Sequence, residues 1–157
     1  MALQRRRTEL TALVRRVVDE MQGLSRRHEL VIVRDDAVTL MADPDRIEQV
    51  LVNLLSNAVK YSPPGSRIEI ATERRPDAVS VCVRDRGIGI PPEKQLHIFE
   101  RFYRAHAGTR YAYASSLGVG LYLAREFVRR HGGAMWFHSE EGAGSTFCFS
   151  LPIEDGT

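Results

Sequence analysis

A carboxylate followed by two closely spaced glycines is the clearest chemical feature of the sequence. Asp85, Gly87 and Gly89 follow an apolar run over residues 78–83 that is typical of a strand. A carboxylate at a strand end can accept a hydrogen bond from an exocyclic amine, and glycines allow the backbone to approach a flat ring closely. This pattern indicates a site for a heterocycle, although the same residues also occur in ordinary surface turns.

A predicted helix upstream carries a polar stripe. It begins at Asp43 and Pro44, which suit an N-cap and the first helical position, and an apolar stripe runs along residues 47–58. A second stripe at i, i+4 and i+7 comprises Asn53, Asn57 and Lys60. Amide oxygens can ligate Mg²⁺ and an ammonium can neutralise phosphate. A solvated helix face is the alternative, but asparagine is a poor interior helix former, which favours a function.

Two further motifs follow the carboxylate. Residues 98–104, IFERFYR, place Arg101 and Arg104 among aromatics, and these arginines could be surface charge or phosphate ligands. Residues 118–121, GVGL, open an amphipathic helix that ends near Arg130. Glycines at a helix start expose N–H groups at the positive end of the helix dipole, which suits an anion. Each motif alone is weak evidence.

In this order and spacing, the four motifs resemble the N, G1, F and G2 boxes of two-component sensor histidine kinases. The resemblance is to their catalytic and ATP-binding domain, in the GHKL superfamily, and it covers nearly the whole chain. It implies an α/β fold of the Bergerat type: a two-layer α/β sandwich with a mixed sheet, helices on one face and a long ATP lid. The domain is expected over residues 10–157, after a linker remnant at residues 1–9.

The resemblance implies ATP and Mg²⁺ as cofactors and assigns roles by position. Catalytic roles fall to Asn53, Asn57, Lys60 and Arg104, with Asn57 and Asn53 as metal ligands. Tyr61 would flank adenine, Asp85 would bind its amino group, and Thr146 would support that contact from a later strand. The complete set of nucleotide-binding positions is Tyr61, Asp85, Gly87, Gly89, Ile90, Arg101, Gly118, Val119, Gly120, Leu121 and Thr146.

The implied reaction is transfer of the γ-phosphoryl group of ATP to a histidine. In the family that histidine precedes an acidic residue on a dimerising helix. His28-Glu29 fits superficially, but the β-branched run at residues 31–33 predicts a strand there. The acceptor is therefore expected on a separate histidine-containing dimerisation domain, in cis in a longer parent or in trans, with a response regulator downstream.

Three alternatives remain open at the level of sequence. ATPases of the superfamily place a glutamate, as base for water, where this chain has Asn53; an amide cannot act as that base, which favours transfer over hydrolysis. The family's lid is usually richer in glycine than Ser115-Ser116-Leu117, which keeps a non-catalytic nucleotide-binding regulator open. A serine kinase of the same superfamily is the third alternative.

Composition and charge agree with one folded domain. The chain has 157 residues, 43% of them hydrophobic, and a net charge of +2. Its arginine doublets are scattered and are offset by 20 acidic residues, so no nucleic-acid face is expected. No apolar run approaches the ~20 residues that span a bilayer, so we expect no direct membrane contact and a cytoplasmic location, although a parent protein could be membrane-anchored. Cys82 and Cys148 are expected to be buried free thiols.

Periodicity predicts the layout of the elements. Helices are expected over residues 8–27, 44–60 and 121–130, and strands over residues 67–73 and 78–84. Residues 29–34 and 38–42 are predicted to pair with each other around Asp35-Asp36, and residues 135–139 and 145–151 to form a closing hairpin. The segment over residues 101–117 is longer and poorer in apolar side chains than an ordinary connection. It is predicted to be the lid and to be mobile without nucleotide.

Overall fold

The computed structural model describes residues 2–100 and 120–153. Within these ranges, none of the helices is both long enough and apolar enough to cross a membrane. In chain order the elements are β1 (Arg6–Glu9), α1 (Leu10–Leu24), β2 (Glu29–Asp35), β3 (Thr39–Ala42), α2 (Pro44–Tyr61), β4 (Arg67–Arg74), β5 (Ala78–Arg84), α3 (Pro92–Gln95), α4 (Gly120–Arg130), β6 (Ala134–Glu140) and β7 (Gly144–Pro152).

A five-stranded mixed sheet forms one layer, with strand order β2-β4-β5-β7-β6. β2 and β4 are parallel, and the other neighbours are antiparallel. Side chains alternate between the faces of a strand, so one face of β5 and β7 is buried beneath the helices. The buried members are Val79, Val81, Val83, Phe147, Phe149 and Leu151. The predicted α/β class, with a mixed sheet and helices packed against it, is confirmed.

The pairing expected near the N-terminus was wrong. β2 pairs with β4 rather than with β3, and β3 pairs antiparallel with β1 in a separate two-stranded sheet. β1 lies in the segment predicted to be a linker, and the buried Thr8 Oγ1 donates to the Ala42 carbonyl at 3.2 Å. Residues 6–9 are therefore part of the fold, and they supply the partner that β3 needs.

α2 starts as its sequence predicts. The Asp43 side chain accepts from the backbone N–H groups of Asp45 and Arg46, and Pro44 stands at the first helical position, where no intrahelical donor is lost. The helix buries one stripe against α1, α4 and the sheet: Ile47, Val50, Leu51, Leu54, Leu55 and Ala58. This packing fixes the rotation of α2, and hence the direction of its polar stripe.

Asp43 also joins the start of α2 to the end of α4. Its backbone N–H donates to Nε2 of the buried His131 at 2.9 Å. Because Nε2 accepts, Nδ1 carries the ring proton and donates to the Phe127 carbonyl at 2.7 Å. Burial raises the pKa of Asp43, but backbone N–H donors, first among them Gln4, outweigh burial, so the pKa is lowered overall. His131, the residue directly after α4, thus links the start of α2 to the end of α4.

The cysteines were predicted wrongly. Cys82 and Cys148 are directly opposite one another on β5 and β7 and form a disulfide rather than free thiols. They are 66 residues apart in sequence, so only the register of the two strands brings them together. Sequence spacing gave no sign of this pairing because it does not report which strands are neighbours.

Candidate nucleotide-binding site

Asp85 lies immediately after β5 and is fixed by β7. It is only 7% exposed, and its Oδ1 accepts from the backbone N–H of Gly87 at 2.8 Å and of Ser145 at 3.2 Å. Its own N–H donates to the Ser145 carbonyl at 2.8 Å. Among the described residues, both bonds to the carboxylate use Oδ1, so Oδ2 is the atom left for a ligand.

The electrostatics of Asp85 are those of a poorly solvated carboxylate. Burial raises its pKa, and the two N–H donors from Gly87 and Ser145 oppose the shift only in part. A buried carboxylate with a raised pKa and one oxygen left for a ligand is a functional-site signature. A ligand N–H donor at Oδ2 would stabilise the ionised form that burial disfavours.

The glycines after Asp85 allow close approach of neighbouring protein backbone. A Cβ on Gly87 would overlap the Tyr61 carbonyl oxygen, and a Cβ on Gly89, where φ is +69°, would overlap the Glu140 carbonyl oxygen. The loop is held there because Ile88 N–H donates to the Tyr61 carbonyl at 3.2 Å. Residues 85–89 are thus clamped between the end of α2 and the β6–β7 hairpin.

Two serines that sequence reasoning missed anchor this loop. Ser139 Oγ accepts from Ile90 N–H at 2.8 Å and lies 2.8 Å from Ser145 Oγ. Ile90, predicted to bind nucleotide, is 6% exposed and belongs to the hydrophobic core. Ser139 and Ser145 are register partners on β6 and β7, and this pairing is a tertiary feature that neither residue reveals alone.

Ser145, not Thr146, supports Asp85. The register of β7 places Thr146 between Arg84 and His138, both exposed, on the face opposite the helices. Ser145 is buried, and its backbone donates to the carboxylate. Because side chains alternate along a strand, a shift of one residue moves a side chain to the other face, and the assignment of Thr146 fails for this reason.

The polar stripe of α2 faces the start of α4. Asn53, Asn57 and Lys60 are half-buried, off the apolar stripe. Asn53 Nδ2 donates to the Gly120 carbonyl at 3.1 Å, which leaves Oδ1 as its ligating atom. Leu121, the next residue, packs against the core. The contact joins the polar stripe of α2 to the GVGL motif, although Asn53 and Gly120 are 67 residues apart in the sequence.

Part of the predicted site lies outside the described residues. Arg101, Arg104, Gly118 and Val119, and the predicted lid over residues 101–117, belong to that part. Just before it, Phe99 meets the Phe137 ring edge-on, with 5.7 Å between ring centroids. Arg125 on α4 lies 4.8 Å from the Phe99 ring centroid, a cation–π contact that sequence reasoning also missed.

Comparison with known proteins identifies the family. Residues 42–155 match the family described as "Histidine kinase-, DNA gyrase B-, and HSP90-like ATPase". The chain belongs to this family. The match spans α2, the loop after β5 and the start of β7, so it includes the residues that build the site, and the predicted resemblance is confirmed.

Named relatives within this ATPase family are sensor kinases. The chain is 39% identical over 145 residues to the adaptive-response sensory kinase SasA of Synechococcus elongatus, covering 90% of this chain and 37% of that protein. It is 36% identical over 143 residues to the sensor histidine kinase WalK of Bacillus subtilis, covering 88% of this chain and 23% of that protein. The chain thus spans less than two fifths of either relative.

Solved structures of the family share the fold. A nucleotide-free structure of the catalytic domain of histidine kinase ThkA superposes with a TM-score of 0.81 at 28% identity, covering 96% of this chain and 98% of that one. A mycobacterial sensor histidine kinase, MprB, superposes with a TM-score of 0.81 at 24% identity, covering 94% of this chain and 97% of that one.

Proposed function

We propose that this domain binds Mg²⁺-ATP and transfers its γ-phosphoryl group to a histidine on a separate dimerisation domain. The phosphoryl group would then pass to a response regulator, on the cytoplasmic side, where ATP is available. The observation that carries the proposal is Asp85: a buried carboxylate, fixed through Oδ1, with Oδ2 left to accept from the adenine amino group. Tyr61 and the glycine loop border the same position.

The donor set on α2 fits a magnesium-bound triphosphate. Mg²⁺ prefers oxygen ligands, and Asn57 and Asn53 offer amide oxygens four residues apart on one helix face, with Lys60 following on the same stripe. The metal would neutralise phosphate charge when bound. Asn57 would be its main ligand, Lys60 and Arg104 would contact phosphate, and the N–H groups at Gly120 and Leu121 would face an anion at the start of α4.

The side-chain chemistry and the hydrogen bond of Asn53 favour phosphoryl transfer over hydrolysis. Its Nδ2 is already bound to the Gly120 carbonyl, and its remaining oxygen is an amide oxygen, which cannot take a proton from water near neutral pH. The domain would therefore position and polarise the phosphates without activating water. This is expected when groups on the acceptor domain carry out the proton transfer at the acceptor histidine.

His28 is held as a structural residue, which supports an acceptor outside this chain. It lies in a bend just before β2. Its Nδ1 is 3.0 Å from Ser25 Oγ, and its Nε2 is 3.1 Å from the Ser62 carbonyl oxygen. Both ring nitrogens are thus engaged with the protein, and neither is presented to a phosphoryl donor.

A phosphotransfer assay tests the proposal. We expect no acid-labile label on the chain incubated alone with γ-labelled Mg²⁺-ATP, and labelling of an added dimerisation domain from a SasA-type relative in proportion to its concentration. Acid-labile label on this chain alone, lost in His28→Ala, would show that the acceptor is internal. Acid-stable label would favour a serine kinase, and nucleotide binding without any transfer would favour a regulator.

A second prediction concerns the metal. Asn57→Ala is expected to remove the Mg²⁺ dependence of ATP binding and to weaken binding in Mg²⁺ by about tenfold, or about 1.4 kcal/mol. Because Asn57 lies off the apolar stripe of α2, the free energy of unfolding should change by no more than about 0.5 kcal/mol.

Calorimetric titration with and without Mg²⁺, together with thermal unfolding, measures both effects. Ser56→Ala, on the preceding residue of the same helix and equally half-buried, is the matched control and should bind as the unaltered chain does. A large loss of stability in nucleotide-free Asn57→Ala would mean that the asparagine is structural.

A further inference from the structure

The Cys82–Cys148 disulfide lies close to Asp85 along both strands that hold it. Cys82 is on β5, three residues before Asp85, and Cys148 is on β7, three residues after Ser145. The Asp85 N–H donates to the Ser145 carbonyl, and the Ser145 N–H donates to the Asp85 carboxylate. The disulfide therefore ties together the two strands that fix Asp85.

The disulfide is on the face of the sheet opposite the described helices. Cys82 is half-buried, whereas Cys148 is only 4% exposed. The positions two residues along each strand on the same face are half-buried or exposed: Ser80, Arg84, Thr146 and Ser150. A small solute would therefore approach the disulfide from this face, on the side of the partly exposed Cys82, because helices cover the other face.

We propose that Cys82 and Cys148 form a reversible thiol–disulfide site for low-molecular-weight thiols, and that its oxidised form binds nucleotide more tightly. A thiolate attacks Cys82 Sγ, the protein S–S bond breaks, and the Cys148 thiolate leaves and takes a proton. A second thiolate then attacks the sulfur of the small molecule in the mixed disulfide and releases the Cys82 thiol. One protein disulfide and two thiols thus give two protein thiols and one small disulfide, and a small disulfide reverses the reaction.

The expected effect of the disulfide on nucleotide affinity follows from the strand movement that the S–S bond restricts. In the oxidised protein the covalent link opposes sliding and parting of β5 and β7 three residues from Asp85. In the reduced protein two unbonded sulfurs stand at the same register position and must separate, which loosens the strand pair that presents the carboxylate. The inference rests on the proposed function, because nucleotide affinity is its second readout.

The first measurement needs no nucleotide. The protein is equilibrated in buffers of reduced and oxidised glutathione, and free thiols are counted by maleimide labelling and mass spectrometry. We expect two labels after reduction and none after oxidation, reversibly. Trp136, the only tryptophan in the chain, is the register partner of Cys148, so its fluorescence should rise on reduction because a neighbouring disulfide quenches it. Thiols that never pair, or a disulfide that glutathione cannot reduce in the folded protein, would overturn the site.

The second measurement compares ADP affinity in the two states by calorimetry. We expect affinity to fall about fivefold on reduction, at the lower end of typical coupling between sites. Cys82→Ser with Cys148→Ser should resemble the reduced protein in either buffer. Placing a cysteine pair instead at Ser80 and Ser150, the next register pair on the same face and further from Asp85, should restore less of the effect.

Equal ADP affinity in the oxidised and reduced protein would overturn the coupling. Absence of nucleotide binding in both states would overturn the proposed function and the coupling together, while the thiol counts would still decide whether the pair exchanges. The two failures are therefore distinguishable.

Discussion

Asp85→Ala is expected to weaken ATP binding by roughly fivefold to more than a hundredfold, which corresponds to about 1–3 kcal/mol for the loss of a buried hydrogen-bond acceptor. The carboxylate is 7% exposed and held by the N–H groups of Gly87 and Ser145, so its free oxygen is preorganised for one donor. GTP should bind the unaltered protein correspondingly weakly, because guanine presents a carbonyl oxygen where adenine presents an amine. Calorimetric titration of both nucleotides measures the two effects.

The same residue gives the site a pH dependence. Burial raises the pKa of Asp85 above the ordinary value of 3.8, and the adenine amine needs the ionised form, which accepts. As the pH falls through the raised pKa, the carboxyl group becomes a donor, so ATP affinity should fall, by up to about tenfold per pH unit below that pKa.

Asp85→Asn provides the control for this titration. It removes the titrating group and keeps an oxygen for the N–H groups of Gly87 and Ser145, so its NH2 group, a donor, would face the adenine amine. ATP should therefore bind this variant more weakly, and the pH dependence that remains is that of the nucleotide's own phosphates. Equal affinities for ATP and GTP, or unchanged ATP binding in Asp85→Ala, would show that the carboxylate does not recognise the base.

Gly87→Ala is expected to destabilise the fold by about 3 kcal/mol, the upper end of ordinary overpacking costs. The added Cβ would overlap the Tyr61 carbonyl oxygen, a backbone atom at the end of α2 that cannot move aside as a side chain can. That carbonyl also accepts from Ile88 N–H, so displacement would break the clamp on the loop. For a domain of this size the melting temperature should fall by roughly 6–12 °C, and ATP affinity should fall with it.

Gly23→Ala is the matched control. Gly23 lies in α1, and a Cβ there would meet nothing within 4 Å, so alanine should stabilise the protein by about 0.5–1 kcal/mol through helix propensity. Thermal unfolding of both variants decides the matter. A Gly87→Ala protein as stable as the unaltered chain would mean that the loop does not pass against the end of α2.

Local signals explain what the sequence could predict. Helix α2 is encoded by neighbouring residues: the N-cap at Asp43, the proline after it and a regularly spaced apolar stripe. The existence of the helix, and the side of it on which Asn53, Asn57 and Lys60 lie, therefore follow from spacing alone. Asp85 was found for the same reason, because a strand, a carboxylate and two glycines stand in one short stretch.

The features that sequence missed depend on strand pairing. The β1–β3 pair, the Cys82–Cys148 disulfide and the contact between Ser145 and Asp85 each join residues far apart in the chain. Periodicity reports that a strand exists and which residues alternate, but neither its partner nor its register. The choice of Thr146 over Ser145 is the smallest such error, a single residue, and it moves the side chain to the wrong face of the sheet.

The most direct test of the account is a crystal structure with Mg²⁺ and a non-hydrolysable ATP analogue. The account predicts the adenine amino group within hydrogen-bonding distance of Asp85 Oδ2, with Ser145 N–H still bound to Oδ1, and Mg²⁺ ligated by the side-chain oxygen of Asn57. Adenine bound away from Asp85, or a metal held without any contact to the polar stripe of α2, would contradict it.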